Sequence, residues 1–315
     1  MIKLPAFSDI RAAHDRIRPY IHHTPVLSSK SINEIVGAEL FFKCENLQKV
    51  GAFKFRGACN SVFSLTPEEA QNGVCTHSSG NHAAALALAA RMRGIPAYIV
   101  MPENAPEIKK IAVAGYGAQI TFCTPTLEAR ESTLKKVADE TGATEIHPYN
   151  YFNVICGQGT AAKELIEEIS QLDVMMAPVG GGGLLSGTAI STKALLPDAR
   201  VIAAEPAGAD DAFRSFYSKT LQPSLAPKTI ADGLLTSLGS LTFPIIMKEV
   251  DQIATVSEES IVAAMRMIWE RMKIIIEPSS AVPLAAILES KMDVKGMKVG
   301  IILSGGNVDL GKLPF

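Results

Sequence analysis

Val174-Met-Met-Ala-Pro-Val179, followed at once by Gly180-Gly-Gly-Gly183 and Leu184, is the stretch on which the fold turns. A short apolar run, four glycines and then the helical pattern Leu184 to Leu195 read as buried strand, tight turn and helix. Free backbone N–H groups and the positive end of the helix dipole converge at such a junction. Glycine lets an anion approach where a side chain would block it, so a phosphate cradle is one reading and an ordinary strand-to-helix turn the other. The G-x-G-x-x-G of a dinucleotide fold is not met: the third glycine would fall on Leu185, and Gly187 comes two residues late. Glu205, just after the strand Arg200 to Ala204, could imitate a ribose-binding acid, which keeps a Rossmann-like ligand-binding sheet in view. A P-loop is excluded, because no Gly-Lys-Ser/Thr follows the glycines. A monophosphate group fits best.

Outward from this unit, short β-rich runs alternate with longer helical patterns, which points to an α/β fold with mainly parallel sheets. Upstream, a strand Gly73 to Cys75 leads to an Ala-rich helix, Asn81 to Arg93, stopped by Gly94. Strand Ala97 to Met101, helix Pro106 to Gly115, strand Gln119 to Phe122, helix Leu127 to Thr141 and a strand near Glu145 to His147 follow. Downstream, Val299 to Leu303 reads as a strand before the polar turn Ser304-Gly-Gly-Asn-Val-Asp309. The units within 73–147 could form a smaller substrate-side domain inserted in a larger cofactor-binding one made of 1–68 and 150–315. No regulatory domain is expected after Asp309.

With 47% hydrophobic residues in 315, the chain can bury a large core. Its net charge of −2, without any basic block, argues against nucleic acid or an anionic membrane as partner. Met1 to Tyr20 mixes charges among its apolar residues, so no secretory signal is expected, and no run of about 18 apolar residues suggests a membrane span. Cys44, Cys59, Cys75, Cys123 and Cys156 are odd in number and form no CxxC. They read as reduced, buried thiols of a cytoplasmic protein.

Three further segments carry chemistry. In Gly51-Ala-Phe-Lys-Phe-Arg-Gly57, Lys54 stands between two phenylalanines. A desolvated lysine has a lowered pKa and becomes a nucleophile toward carbonyls, although a lone lysine is more often solvated. Thr76-His-Ser-Ser-Gly-Asn-His82 gathers hydroxyls, an amide and helix-start N–H groups. It suits a carboxylate, or merely caps the helix through Ser79 or Asn81. Glu205-Pro-Ala-Gly-Ala-Asp-Asp211 offers carboxylates and carbonyls for a hard divalent cation, with strand-end and capping roles as the alternative.

Taken in order, the Lys54 segment, Ser78-Ser-Gly-Asn-His82, Gly180 to Gly183 and Ser304-Gly-Gly-Asn307 resemble the serine racemase and serine/threonine dehydratase family. These are fold-type II pyridoxal-phosphate enzymes, similar to the tryptophan synthase β chain. The resemblance runs from His23-Thr-Pro25 to Asp309. It implies that Lys54 carries pyridoxal 5'-phosphate and serves as base on one face. Phe53 would pack on the ring, and Asn81 would bond its phenolic oxygen. Gly180, Gly181, Gly182, Gly183 and Leu184 would hold the phosphate, Gly233 would touch the cofactor, and Ser304 would meet the pyridine nitrogen. Ser78, Ser79, Asn81, His82 and Arg130 would receive the substrate carboxylate. Ser79 would be the second base, on the opposite face, where threonine dehydratases commonly have alanine. The implied activity is interconversion of L- and D-serine with β-elimination to pyruvate and ammonia. A threo-3-hydroxyaspartate or threonine dehydratase is the alternative. The family also implies a homodimer and Mg²⁺, or Ca²⁺ or Mn²⁺, on Glu205, the Ala209 carbonyl and Asp211. Some animal members respond to ATP; Lys273 and Asn307 match that pattern, whereas Val50 and Ala84 depart from it. The bulky Tyr149-Asn-Tyr-Phe-Asn153 also departs, in a loop facing the substrate side.

Overall fold

The computed structural model describes residues 3–78, 80–105 and 107–315. Along them run α1 (Phe7–Ile17), β1 (Val26–Leu27), α2 (Lys30–Val36), β2 (Glu39–Cys44), α3 (Lys54–Ser64), α4 (Pro67–Ala70), β3 (Val74–His77), α5 (Asn81–Arg93) and β4 (Ala97–Pro102). Then come α6 (Glu107–Gly115), β5 (Gln119–Cys123), α7 (Leu127–Thr141), β6 (Thr144–Glu145), α8 (Phe152–Glu168), β7 (Val174–Pro178), α9 (Gly183–Leu195) and β8 (Arg200–Pro206). The chain ends with α10 (Asp211–Ser218), α11 (Thr242–Glu249), β9 (Gln252–Val256), α12 (Glu258–Met272), α13 (Pro278–Leu288) and β10 (Lys298–Leu303).

Every residue of β7 is buried, as an apolar run covered by helices on both faces requires. β7 lies inside a six-stranded sheet of order β1-β2-β10-β7-β8-β9, parallel except for the β1–β2 pair. A second, four-stranded parallel sheet has the order β5-β4-β3-β6. β6 stops at Glu145, short of the expected His147. The reason is local: His147 Nδ1 accepts the N–H groups of Tyr149 at 3.3 Å and Asn150 at 3.0 Å, which turns the chain away.

β10 and β7 are adjacent although far apart in sequence, so their carboxyl ends open a crevice of the kind where α/β sheets bind ligands. The glycine run follows β7 and Ser304 follows β10. Beneath this crevice α3, α8 and α9 pack closely. A Cβ on Gly157 would stand 2.6 Å from the Arg56 carbonyl oxygen, and one on Gly187 would stand 2.5 Å from the Gly159 nitrogen.

A buried ionic cluster fixes the start of α3. Arg56 bonds Glu45 through Nε at 2.7 Å and Nη2 at 2.8 Å, and Glu164 of α8 through Nη1 at 2.8 Å and Nη2 at 2.7 Å. Lys43 Nζ lies 2.8 Å from Glu164 and donates to the Thr24 carbonyl at 2.7 Å. The cationic partners hold the Glu164 carboxyl far below the usual range despite its burial, and the two carboxylates raise Arg56. Such a cluster adds specificity more than stability, but removing one member leaves a charge stranded.

Candidate active site

Lys54 opens α3, and its segment is stapled to the end of β10. Ala52 bridges Gly305, and the Phe53 N–H donates to the Ser304 carbonyl at 2.9 Å. Lys54 Nζ donates to the Pro148 carbonyl at 2.7 Å and stands 5.2 Å from the centre of the Phe53 ring. Desolvation pulls the ammonium down to about 8, opposed by the Glu277 carboxylate. About a tenth of the amine is therefore neutral at pH 7, far more than for a solvated lysine.

Gly180, Gly181 and Gly182 lead into α9, which Gly183 opens. Gly182 caps the helix at φ +86°, a conformation that favours glycine. A Cβ on Gly180 would meet the Leu234 backbone at 2.9 Å, and one on Gly181 would meet the Tyr149 ring at 2.3 Å. The first N–H groups of a helix have no intrahelical partner, so this crowded turn presents backbone donors and no side chain. Leu184 is buried behind it. Gly233 donates its N–H to Ser279 Oγ at 3.2 Å, on the segment whose Leu234 packs against Gly180. Ser304 Oγ, also buried, bonds Ser280 Oγ at 3.0 Å. A desolvated amine, a glycine cradle and a buried hydroxyl fit an aromatic aldehyde that carries one phosphate.

Asn81 opens α5, and its amide is clamped on both sides. Nδ2 lies 3.0 and 3.1 Å from the two Glu277 carboxylate oxygens, and Oδ1 accepts from Asn307 Nδ2 at 2.9 Å. Glu277 is the residue that sequence reasoning missed. Its only sequence signal is an acid just before Pro278 at a helix start. Burial pushes its carboxyl up to about 7, helped by Asp232 and opposed by the Asn81 bond.

Ser78 Oγ accepts the Gly80 N–H at 3.3 Å. Ser79, the expected second base, lies outside the described residues. His82 is buried; the Ile146 carbonyl at 3.1 Å makes Nε2 the donor and leaves Nδ1 a buried acceptor without a partner. Burial and the nearby Lys54 charge hold this ring neutral, with a pKa well below its ordinary value. A carboxylate would therefore meet the His82 backbone N–H rather than its ring. Arg130 Nε is buried and has no hydrogen-bond partner.

Glu205 and Asp211 are fully buried at 0% exposure. Glu205 accepts the N–H groups of Ala212 at 3.0 Å and Phe213 at 2.8 Å, and thereby caps α10. Both Asp211 oxygens lack a hydrogen-bond partner. Burial pushes Glu205 up to about 9 and Asp211 up to about 6. Ala209 is buried on the intervening loop. Among the described residues no group of three His, Cys, Asp or Glu side chains could hold a metal. The unpartnered Asp211 carboxylate, with the Glu205 carboxylate and a backbone carbonyl, nonetheless offers an all-oxygen donor set suited to a hard cation.

The model of the family described as pyridoxal-phosphate dependent enzyme matches residues 17–305, and the chain belongs to that family. Among its relatives is a serine racemase of Dictyostelium discoideum, 56% identical, with 97% of this chain and 95% of the relative aligned. A beta-hydroxyaspartate dehydratase of Paracoccus denitrificans is 53% identical, with 99% of each chain aligned. The solved structure of maize serine racemase superposes with a TM-score of 0.96 at 50% identity, covering 98% of this chain and 95% of that one.

Proposed function

We propose that the protein interconverts L- and D-serine and also eliminates the β-hydroxyl of serine, giving pyruvate and ammonia. The observation that carries this reading is the Lys54 amine, brought down to about 8, on a segment whose Phe53 N–H is stapled to the Ser304 carbonyl. Serine racemases at 56% and 50% identity over nearly the whole chain support the substrate.

Phe53, Asn81, Gly180 to Gly183, Leu184, Gly233 and Ser304 are the residues that would hold pyridoxal phosphate. When bound, it supplies an electron sink that acidifies the substrate's α-hydrogen. Lys54 takes that proton on one face, because its amine is neutral often enough to act as base. Ser79, by the family resemblance, would return a proton from the other face, which would invert the centre. Ser78, the backbone N–H groups at Asn81 and His82, and Arg130 receive the carboxylate. Ser304 would meet the ring nitrogen with a hydroxyl, which would favour a protonated ring less than a carboxylate does. Mg²⁺, or Ca²⁺ or Mn²⁺, would bind at Glu205, the Ala209 carbonyl and Asp211, and the unpartnered Asp211 oxygens support that site.

Five buried, unpaired cysteines support a reducing, cytoplasmic setting. Exposed Leu47 and Ile275, on segments joined by the bond from Asn46 Nδ2 to the Ile275 carbonyl at 3.0 Å, support a homodimer, which sedimentation would test.

A dehydratase for 3-hydroxyaspartate or threonine is the second reading, favoured by the Paracoccus relative. Chiral analysis of L-serine incubations, run beside pyruvate release, separates the two. D-Serine formation supports the racemase, whereas pyruvate alone rejects it. Ser79→Ala is expected to abolish inversion and retain pyruvate formation; inversion that survives would end the two-base assignment.

A further inference from the structure

Tyr149 stands where the lysine, the glycine cradle and the loop after Gly233 meet. It follows Pro148, whose carbonyl takes Lys54 Nζ at 2.7 Å. Its ring covers the cradle: a Cβ on Gly181 would lie 2.3 Å from Cγ, and one on Gly183 would lie 3.1 Å from Tyr149 Cβ. Its phenol is near enough to the Thr236 side chain for that residue to lower its pKa, against the rise that burial causes. The residue therefore spans the site from the lysine toward the phosphate end.

Neighbours on both sides fix this position. His147 Nδ1 accepts the Tyr149 N–H, and the two rings meet edge to face at 4.6 Å. Asn150 Oδ1 accepts the Leu241 N–H at 2.7 Å, while its Nδ2 donates to Ser240 at 3.1 Å. Burial lowers His147 to about 4, which keeps Nδ1 a bare acceptor at neutral pH. Burial also raises the Tyr149 phenol above its ordinary value, so its hydroxyl keeps its proton.

The next step rests on the proposed function. A substrate with its amino group at the cofactor's aldehyde carbon, its carboxylate at Ser78, Asn81 and His82 and its α-hydrogen toward Lys54 has one substituent left on the α-carbon. That substituent, the side chain, points toward the cradle, where Tyr149 stands. We infer that Tyr149 selects the substituent at the substrate's Cβ: the ring limits its size, and the hydroxyl bonds a β-hydroxyl. Serine satisfies both conditions, threonine adds a methyl group against the ring, and alanine leaves the hydroxyl without its partner.

The test uses holoenzyme: wild type, Tyr149→Phe and Tyr149→Ala. Turnover of L-serine and L-threonine and racemisation of L-alanine are measured, with dissociation constants read from the change in cofactor absorbance on titration. Tyr149→Phe is expected to lower kcat/KM for serine roughly tenfold relative to alanine, with a parallel weakening of serine binding, as loss of one hydrogen bond to substrate would do. Tyr149→Ala is expected to raise threonine relative to serine by about tenfold. Unchanged serine-to-alanine and threonine-to-serine ratios in fully loaded variants would overturn the inference. Loss of the cofactor from Tyr149→Phe would also overturn it, because the phenyl ring still covers the cradle. A wild-type protein that neither takes up pyridoxal phosphate nor turns over serine would instead sink the proposed function, and this inference with it.

Discussion

At the scale of the residue, Lys54 shows how surroundings convert a common side chain into a reagent. An unshifted lysine near 10.4 would be almost wholly protonated at neutral pH. At about 8, the neutral fraction of Lys54 rises with pH and levels off just above that value. The rate at which cofactor-free protein takes up pyridoxal phosphate is expected to climb about tenfold per pH unit below 8 and then flatten. A rate still climbing through pH 9 would mean that the amine is solvated. Gly181 is constrained by contact, since an alanine Cβ would overlap the Tyr149 ring. Gly181→Ala is expected to weaken cofactor uptake at least tenfold, read by absorbance titration, and to cost about 1–3 kcal/mol of stability.

At the scale of the element, α5 is legible in the sequence almost residue by residue. Its alanines favour helix, and Gly94 at φ +74° ends it. β7 and its glycines are equally plain, because an apolar run and a turn are local signals. Lys54, Asn81, the glycine run and Ser304 are legible by resemblance, and the structure brings them to one crevice. Glu277 and the turn at His147 are not legible. Each acts through a partner remote in the chain or through a ring nitrogen used as acceptor, and neither leaves a periodic trace. The Arg56 cluster is hidden for the same reason, since Glu45, Arg56 and Glu164 meet only after α3 and α8 have packed. Glu164→Gln takes the anionic partner from buried Lys43, leaves Arg56 with Glu45 alone, and is expected to destabilise the protein by about 3–5 kcal/mol in denaturant titrations. The Glu164 carboxyl is depressed in the folded state, so its contribution is complete above the unfolded value of about 4.3 and fades as pH falls. The wild type should therefore lose stability on acidification, and Glu164→Gln should lose less.

At the scale of the molecule, the buried Glu205 carboxylate ties the large sheet to α10, and the unpartnered Asp211 carboxylate lies at the start of that helix. Millimolar Mg²⁺ is expected to raise the melting temperature of the wild type by several degrees, and Asp211→Asn to remove that response. A melting temperature indifferent to Mg²⁺, Ca²⁺ and Mn²⁺ would argue that Glu205 serves only as a cap and that no cation binds Asp211.

The place of β10 between β2 and β7 has a consequence for how the protein is made. Chains emerge from the ribosome amino end first, and their early parts begin folding before the rest exists. β2 and β7 are synthesised long before the strand that joins them, so the growing chain carries an open slot with two unsatisfied edges until residue 303 is free. The staple between Phe53 and Ser304 closes at the same moment. A nascent chain halted before Lys298 should stick to holding chaperones and take up no cofactor, so that reactivity at Lys54 is withheld until β10 has been made.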